Sequence, residues 1–245
     1  MTIAVLVAGI LGLVAGPVLH HLGVRAAVRA PFDGPVPRCE TCDTRRTASG
    51  WFALRCRRCG ARHRRREPAI WALSAAGAAG AALVAGVGPL LPAYLAFVAF
   101  TTVLVVTDLD AFLLPNRVLY PGTLVSVALL GLGALATSRL DDLLRGFGVG
   151  AVYLVALALI ALLLPHGFGM GDAKMALLLG TFAGFSGWNA VATMLLYTAL
   201  LGGLPAWFLL ITRRAGREDH LPYGPAMILG TWLALALDGR LGVLG

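Results

Sequence analysis

Three carboxylates stand where acid-base chemistry could be done. Asp108 and Asp110 lie in VVTDLDAFLLPN, and Asp172 lies in GFGMGDAKM, between two apolar stretches. A carboxylate at helix-centre depth in a bilayer costs roughly 3 kcal/mol, so one kept near lipid calls for a reason. Two carboxylates brought close together cannot both ionise easily. One keeps its proton while the other acts as base, and the pair activates water as an aspartic-protease dyad does, titrating as a unit. Asp108 and Asp172 lie far apart in sequence, so they meet only if their helices pack together. Gly167, Gly169 and Gly171 leave room beside Asp172 for another backbone, such as an extended substrate. A structural reading stays open next to the chemical one: Asp172 pairs with Lys174, or caps a helix, and Asp108 pairs with Arg117. Asp141, Asp142, Glu218, Asp219 and Asp238 read as solvated loop charges, and His166 as a solvated loop histidine.

A second constellation is sulfur. Cys39, Cys42, Cys56 and Cys59 are the chain's only cysteines and fall as C-x2-C-x13-C-x2-C. Two thiolates two residues apart grip one metal from a tight turn, and two such turns complete a tetrahedron, which predicts structural zinc with no open coordination position. Gly60, after the second pair, suits a knuckle turn. Two disulfides or four free thiols are the other reading; cytosolic exposure argues against disulfides, and the pairing of pairs with no cysteine elsewhere argues against chance.

The elements that must hold these groups are apolar. The 245 residues are 58% hydrophobic and only 13% charged, with mean hydropathy +0.82. A soluble globule carries roughly 25% charged residues, so the composition predicts a multi-spanning membrane protein. Apolar runs at 2–19, 69–107 (divided by GVGPLLP at 86–92), 118–137, 146–165, 175–188, 189–211 and 222–237 give eight spans. Residues 20–68 hold twelve arginines against Asp33, Glu40, Asp43 and Glu67, which accounts for the whole net charge of +8. With both termini outside, 17 of the 20 basic residues fall on the cytoplasmic side, and only Arg139, Arg145 and Arg240 lie outside. The expected architecture is therefore all-α: about eight transmembrane helices, with a small cytoplasmic zinc knuckle between helices 1 and 2. Its parts are a first helix (1–19), a basic tetracysteine segment (20–68) and a seven-helix membrane core (69–245). Asp108 then ends the third span and Asp172 precedes the sixth, both at the cytoplasmic boundary. The arginines fit orientation and contact with lipid rather than nucleic acid.

GMGDAK resembles the GxGD-x-K motif of the type IV prepilin peptidases, membrane aspartic proteases also called leader peptidases. TDLDAFLLPN resembles that family's first-aspartate motif, in which an Asp precedes a Pro-Asn pair by seven residues, so the resemblance points to Asp108 rather than Asp110. LPYGP at 221–225 resembles the family's C-terminal P-[FY]-G-P stretch, and the C-x2-C pairs resemble its bacterial branch. The resemblance covers nearly the whole chain. It implies an endopeptidase of the bacterial cytoplasmic membrane that cuts a short basic leader from prepilins or pseudopilins, after a glycine and at the cytoplasmic face. Asp108 and Asp172 would be catalytic. Gly169, Gly171, Lys174, Pro115, Asn116 and Tyr223 would line the site, and the four cysteines would hold Zn2+. Bacterial members often also methylate the new N-terminus with S-adenosylmethionine. The sequence departs from the family there: Glu67-Pro68-Ala69-Ile70-Trp71 lacks the usual later acidic residue, and His20-His21 stands where the family has an Asn-containing stretch. That cofactor is expected only if transfer is retained. Two other classes remain as alternatives: a transporter with interfacial carboxylates, and a zinc-knuckle assembly factor without chemistry.

Overall fold

The structure, a computed structural model, describes residues 2–28, 36–47, 50–53, 55–61, 66–112, 114–163, 169–211 and 223–241. His166, Gly167, Glu218 and Asp219 lie outside the described residues. The described part is helical and holds no strand; an isolated antiparallel bridge joins Arg38 and Arg45. The helices are α1 (Thr2–Ala27), α2 (Glu67–Ala85), α3 (Leu91–Ala111), α4 (Asn116–Ala136), α5 (Leu140–Leu163), α6 (Met170–Ser186), α7 (Trp188–Thr198), α8 (Leu204–Ile211) and α9 (Gly224–Leu241). A π-helical stretch, Ala199–Gly203, joins α7 to α8, so these two form one rod and the rods number eight. The first five helices are long and apolar enough to cross a membrane.

Small residues set the packing, as expected where the solvent is lipid and close backbone approach supplies the contact energy. On α5 and α6 the pairs Gly146/Gly150 and Gly180/Gly184 face one another: a Cβ on Gly180 would lie 2.8 Å from the Gly150 Cα. Gly12 of α1 meets α2 in the same way, and the Ser74 hydroxyl donates to the Gly12 carbonyl at 2.8 Å. The outward faces of α1 and α5 carry exposed Leu6, Ile10, Leu11, Val152, Leu159 and Leu162, a lipid-facing surface.

The most buried helices are α3 and α6, which carry Asp108 and Asp172. They meet through large side chains. Phe97 stacks on Phe182 at 4.3 Å, Tyr94 stands edge-on to Phe182, and the Tyr94 and Ser186 hydroxyls are 3.1 Å apart. The start of α3 therefore touches the end of α6, and the two helices run antiparallel. At about 1.5 Å per residue, Asp108 lies roughly 16 Å along α3 from Phe97, and Asp172 roughly 15 Å back along α6 from Phe182. The ring stack thus fixes both carboxylates at one level.

Several boundaries differ from the hydropathy reading. Helix α1 continues past residue 19 to Ala27, because its last turns pack on α3: a Cβ on Gly23 would strike Val106. Its final carbonyls, Arg25 and Ala26, accept hydrogen bonds from Arg117, the cation that the C-terminal end of a helix favours. Helix α5 starts six residues early, so Asp141 and Asp142 lie in its first turn rather than in a loop. Asp142 pairs with Arg139 (2.6 Å) and Arg145 (2.8 Å). Both arginines reach the last carbonyls of α6, Arg145 to Gly184 at 2.7 Å and Arg139 to Phe185 at 3.5 Å. These two exceptions to the charge asymmetry are helix caps. Helix α6 begins at Met170, so Asp172 lies inside it instead of ahead of it.

Candidate active site

Asp108 is buried in the last turn of α3. That helix ends when Phe112 turns into the left-handed region (φ 50°) and donates its N–H to the Asp108 carbonyl. A bulky residue with positive φ is costly backbone, and here it turns the chain towards Pro115, which stands ahead of the first residue of α4. The Asp108 carboxylate accepts a hydrogen bond from the Gly224 N–H, the first amide of α9, at 3.1 Å. A donor at a helix N-terminus is well placed to hold a carboxylate. Gly224 has no room for a side chain: a Cβ would lie 2.8 Å from Asp108 Oδ2 and 3.6 Å from the Met175 methyl of α6.

Asp172 is half-buried in the first turn of α6. It is not the N-cap. Gly169 takes that position with extended backbone (φ −81°, ψ 144°), and Asp172 reaches back to accept the Gly169 N–H at 3.3 Å. The carboxylate is within electrostatic reach of Asp108, Tyr153 and Tyr223. α3, α5, α6 and the start of α9 thus converge on one acidic cluster.

The pairings of the structural reading are absent among the described residues. Lys174 donates to Asn116 Oδ1 at 3.2 Å and sits 5.4 Å from the Tyr120 ring centre, while Arg117 caps α1. Gly171 faces Leu114, which a Cβ would approach to 3.0 Å. Gly171, Lys174 and Asn116 therefore join α6 to the start of α4 and the segment before it. Pro115 shapes that start, its carbonyl accepting the Val118 and Leu119 N–H groups. Tyr223 lies on the α9 side, its ring seated on Gly202 in the π-helical stretch, where an added Cβ would collide with it. π-bulges frequently mark functional sites. Asp110 is turned away, 3.4 Å from Arg66 at the start of α2. The sequence reading missed Tyr153, a lone hydroxyl in an apolar span. It also passed over Gly224, although it had noted the stretch that contains it.

The four cysteines form two matching knuckles. Cys39 N–H bonds to the Thr44 carbonyl and Asp43 N–H to the Cys39 carbonyl; Cys56 N–H bonds to the Ala61 carbonyl and Gly60 N–H to the Cys56 carbonyl. The residue after each second cysteine has positive φ, 52° at Asp43 and 70° at Gly60. All four sulfurs lie within 4.8 Å of one another, with Cys39–Cys59 at 3.7 Å and Cys42–Cys56 at 3.8 Å. Ligands about 2.3 Å from a tetrahedral centre stand about 3.8 Å apart, so this donor set fits one thiophilic metal ion. Thr44 hydrogen bonds pull the Cys42 thiol down to about 6. The N–H groups of Cys59 and Arg58 lower Cys56 as well. Both effects favour thiolate at Cys42 and Cys56, while against the pull of the Ala61 N–H, burial and the three neighbouring sulfurs push the Cys59 thiol up. The knuckle is tied to the helices by Arg46, which grips the buried Glu67 with two hydrogen bonds of 2.8 and 3.0 Å. His20 stands 3.6 Å from the same carboxylate, and Phe52 packs edge-on against Trp71.

The chain resembles known proteins over the same regions. Residues 95–207, which include Asp108 and Asp172, match the type IV leader peptidase family. A protein of Aeromonas hydrophila named prepilin leader peptidase/N-methyltransferase is 30% identical over 187 residues, covering 76% of this chain and 63% of the relative. The chain thus spans less than two thirds of that relative's length. A Bacillus subtilis protein of the same name is 26% identical over 237 residues, covering 92% of this chain and 91% of its own. A Pseudomonas aeruginosa protein, also so named, is 30% identical over 135 residues, covering 52% and 43%. No solved structure matches the chain. By its matched core and these relatives, the chain is similar to the type IV leader peptidase family.

Proposed function

We propose that the chain is a membrane aspartic endopeptidase that removes the basic leader of prepilins or pseudopilins at the cytoplasmic face of the bacterial inner membrane, with both termini outside. The observation that carries this reading is the convergence of Asp108 and Asp172 on one level of two antiparallel buried helices. The carboxylates share one proton. The charged member takes a proton from water as the water oxygen attacks the scissile carbonyl carbon, and the protonated member hydrogen-bonds the carbonyl oxygen. Collapse of the tetrahedral adduct breaks the C–N bond, and a proton passes to the leaving amine. Gly224 N–H holds Asp108, Gly169 N–H holds Asp172, and the missing side chain at Gly171 lets Leu114 close against the start of α6. The substrate class comes from the names of the relatives. Zinc in the tetracysteine site is structural, since all four positions are filled by protein thiolates.

We route no step through S-adenosylmethionine. Glu67 and Glu40 both lie beside the region where the family departs, and Arg46 and His20 already engage Glu67. The cavity next to it is about 10 Å³, room for roughly one water molecule.

Co-expression with a tagged prepilin from the same genome tests the proposal. Wild type processes the substrate, while Asp108→Asn and Asp172→Asn leave it uncut with insertion unchanged. Processing by either variant at the wild-type rate would defeat it.

A further inference from the structure

The tetracysteine segment encloses a cavity of about 220 Å³ that the peptidase reading does not use. Arg45, Arg55, Arg57 and Arg58 line it with the Thr44 and Thr47 hydroxyls, and Arg46 forms part of its wall. Among the described residues no carboxylate lines it. Asp43 pairs with Arg38, outside the cavity, and Glu67 pairs with Arg46 of the wall, which leaves Arg45, Arg55, Arg57 and Arg58 as its further cations. Guanidinium groups grip phosphate oxygens through paired N–H donors, and these four arginines are exposed at the cavity.

The position favours a phosphate carried by a lipid. Glu67 begins α2, a helix apolar and long enough to cross the membrane, and the Arg46–Glu67 pair fixes the cavity wall at that end. Phe52 lies between Gly50 and Ala53, which both line the cavity; it is 43% exposed and packs edge-on against Trp71 of α2. An exposed aromatic ring beside an arginine cavity at the start of a spanning helix matches a membrane interface, with phosphate on one side and glycerol and acyl chain on the other.

We propose that this cavity binds the phosphate headgroup of an anionic phospholipid. The site is separate from the carboxylates and stands whether or not the chain is a peptidase. Bound lipid would also lower, by one unit, the positive charge that this arginine-rich segment presents to a basic leader.

Native mass spectrometry of the purified full-length chain tests this, with phosphatidylglycerol and phosphatidylcholine of matched acyl chains. Wild type is expected to retain phosphatidylglycerol at least tenfold better, because the choline cation is repelled by the same arginines. The triple variant Arg45→Gln/Arg55→Gln/Arg58→Gln should lose at least tenfold of that retention. The triple lysine variant, which keeps the charge, should lose at least threefold. Unchanged metal content shows that each variant's knuckle is folded. Equal retention of the two lipids, or wild-type retention by either triple variant, overturns the proposal. Inorganic phosphate alone should not displace phosphatidylglycerol at matched concentration; if it does, the site is one for free phosphate and the lipid assignment is wrong.

Discussion

Gly224→Ala puts a single methyl group against the proposed base. Gly224 does not have positive φ, so its backbone accepts alanine without strain. The new Cβ would stand 2.8 Å from Asp108 Oδ2, where ordinary contact begins at 3.4 Å. Asp108 or the start of α9 must therefore give by about 0.6 Å, which strains or breaks the 3.1 Å hydrogen bond that holds the carboxylate. A hydrogen bond to a charged group contributes about 1.5–3 kcal/mol. If that contribution is made in the transition state, its loss slows cleavage by about tenfold to a hundredfold. The assay is the initial rate of prepilin processing by equal amounts of membrane-inserted protein. Gly203→Ala serves as the control, since nothing lies within 4 Å of its Cβ position, and it is expected to cleave normally. A Gly224→Ala rate within twofold of wild type would refute the claim that α9 positions Asp108.

Other expectations follow from the same contacts. Gly180→Val drives a branched side chain into the backbone of α5, and overpacking of this kind costs about 1–3 kcal/mol; denaturant unfolding in detergent should show it. Lys174→Met should keep cleavage within about threefold, because Lys174 holds Asn116 rather than either of the aspartates proposed as catalytic; a loss beyond about a hundredfold would place its charge in the chemistry. Cys39→Ser or Cys56→Ser should abolish metal binding, measured as metal per chain by elemental analysis. Acid should release the metal too. Protons compete with the cation for the thiolates, so metal per chain is expected to fall as pH is lowered.

The sequence was most informative where one residue type repeats. Runs of apolar residues separate the helices, and GVGPLLP and the GFSGWN stretch both contain a true boundary, at Gly86 and Gly187, each with positive φ. The cysteine spacing gave a metal-sized cluster because two short knuckles leave little freedom. What stayed hidden is tertiary. Hydropathy cannot register the charged first turn of α5, since Asp142 is acceptable there only through Arg139 and Arg145. Nor can it extend α1 past His20, where burial against α3 decides. The Asp motifs named the candidates, but their shared level depends on Phe97 meeting Phe182, and the Gly224 N–H reaches Asp108 across 116 residues.

The account's central claim is that Asp108 and Asp172 act as one unit. The most direct measurement is cleavage of a synthetic prepilin by purified protein in lipid vesicles, with the product N-terminus read by mass spectrometry. Asp108→Asn and Asp172→Asn are each expected to fall to background, and the double variant no further, because either loss disables the pair. A single variant that keeps more than about a tenth of the wild-type rate, or losses that multiply in the double variant, would contradict it.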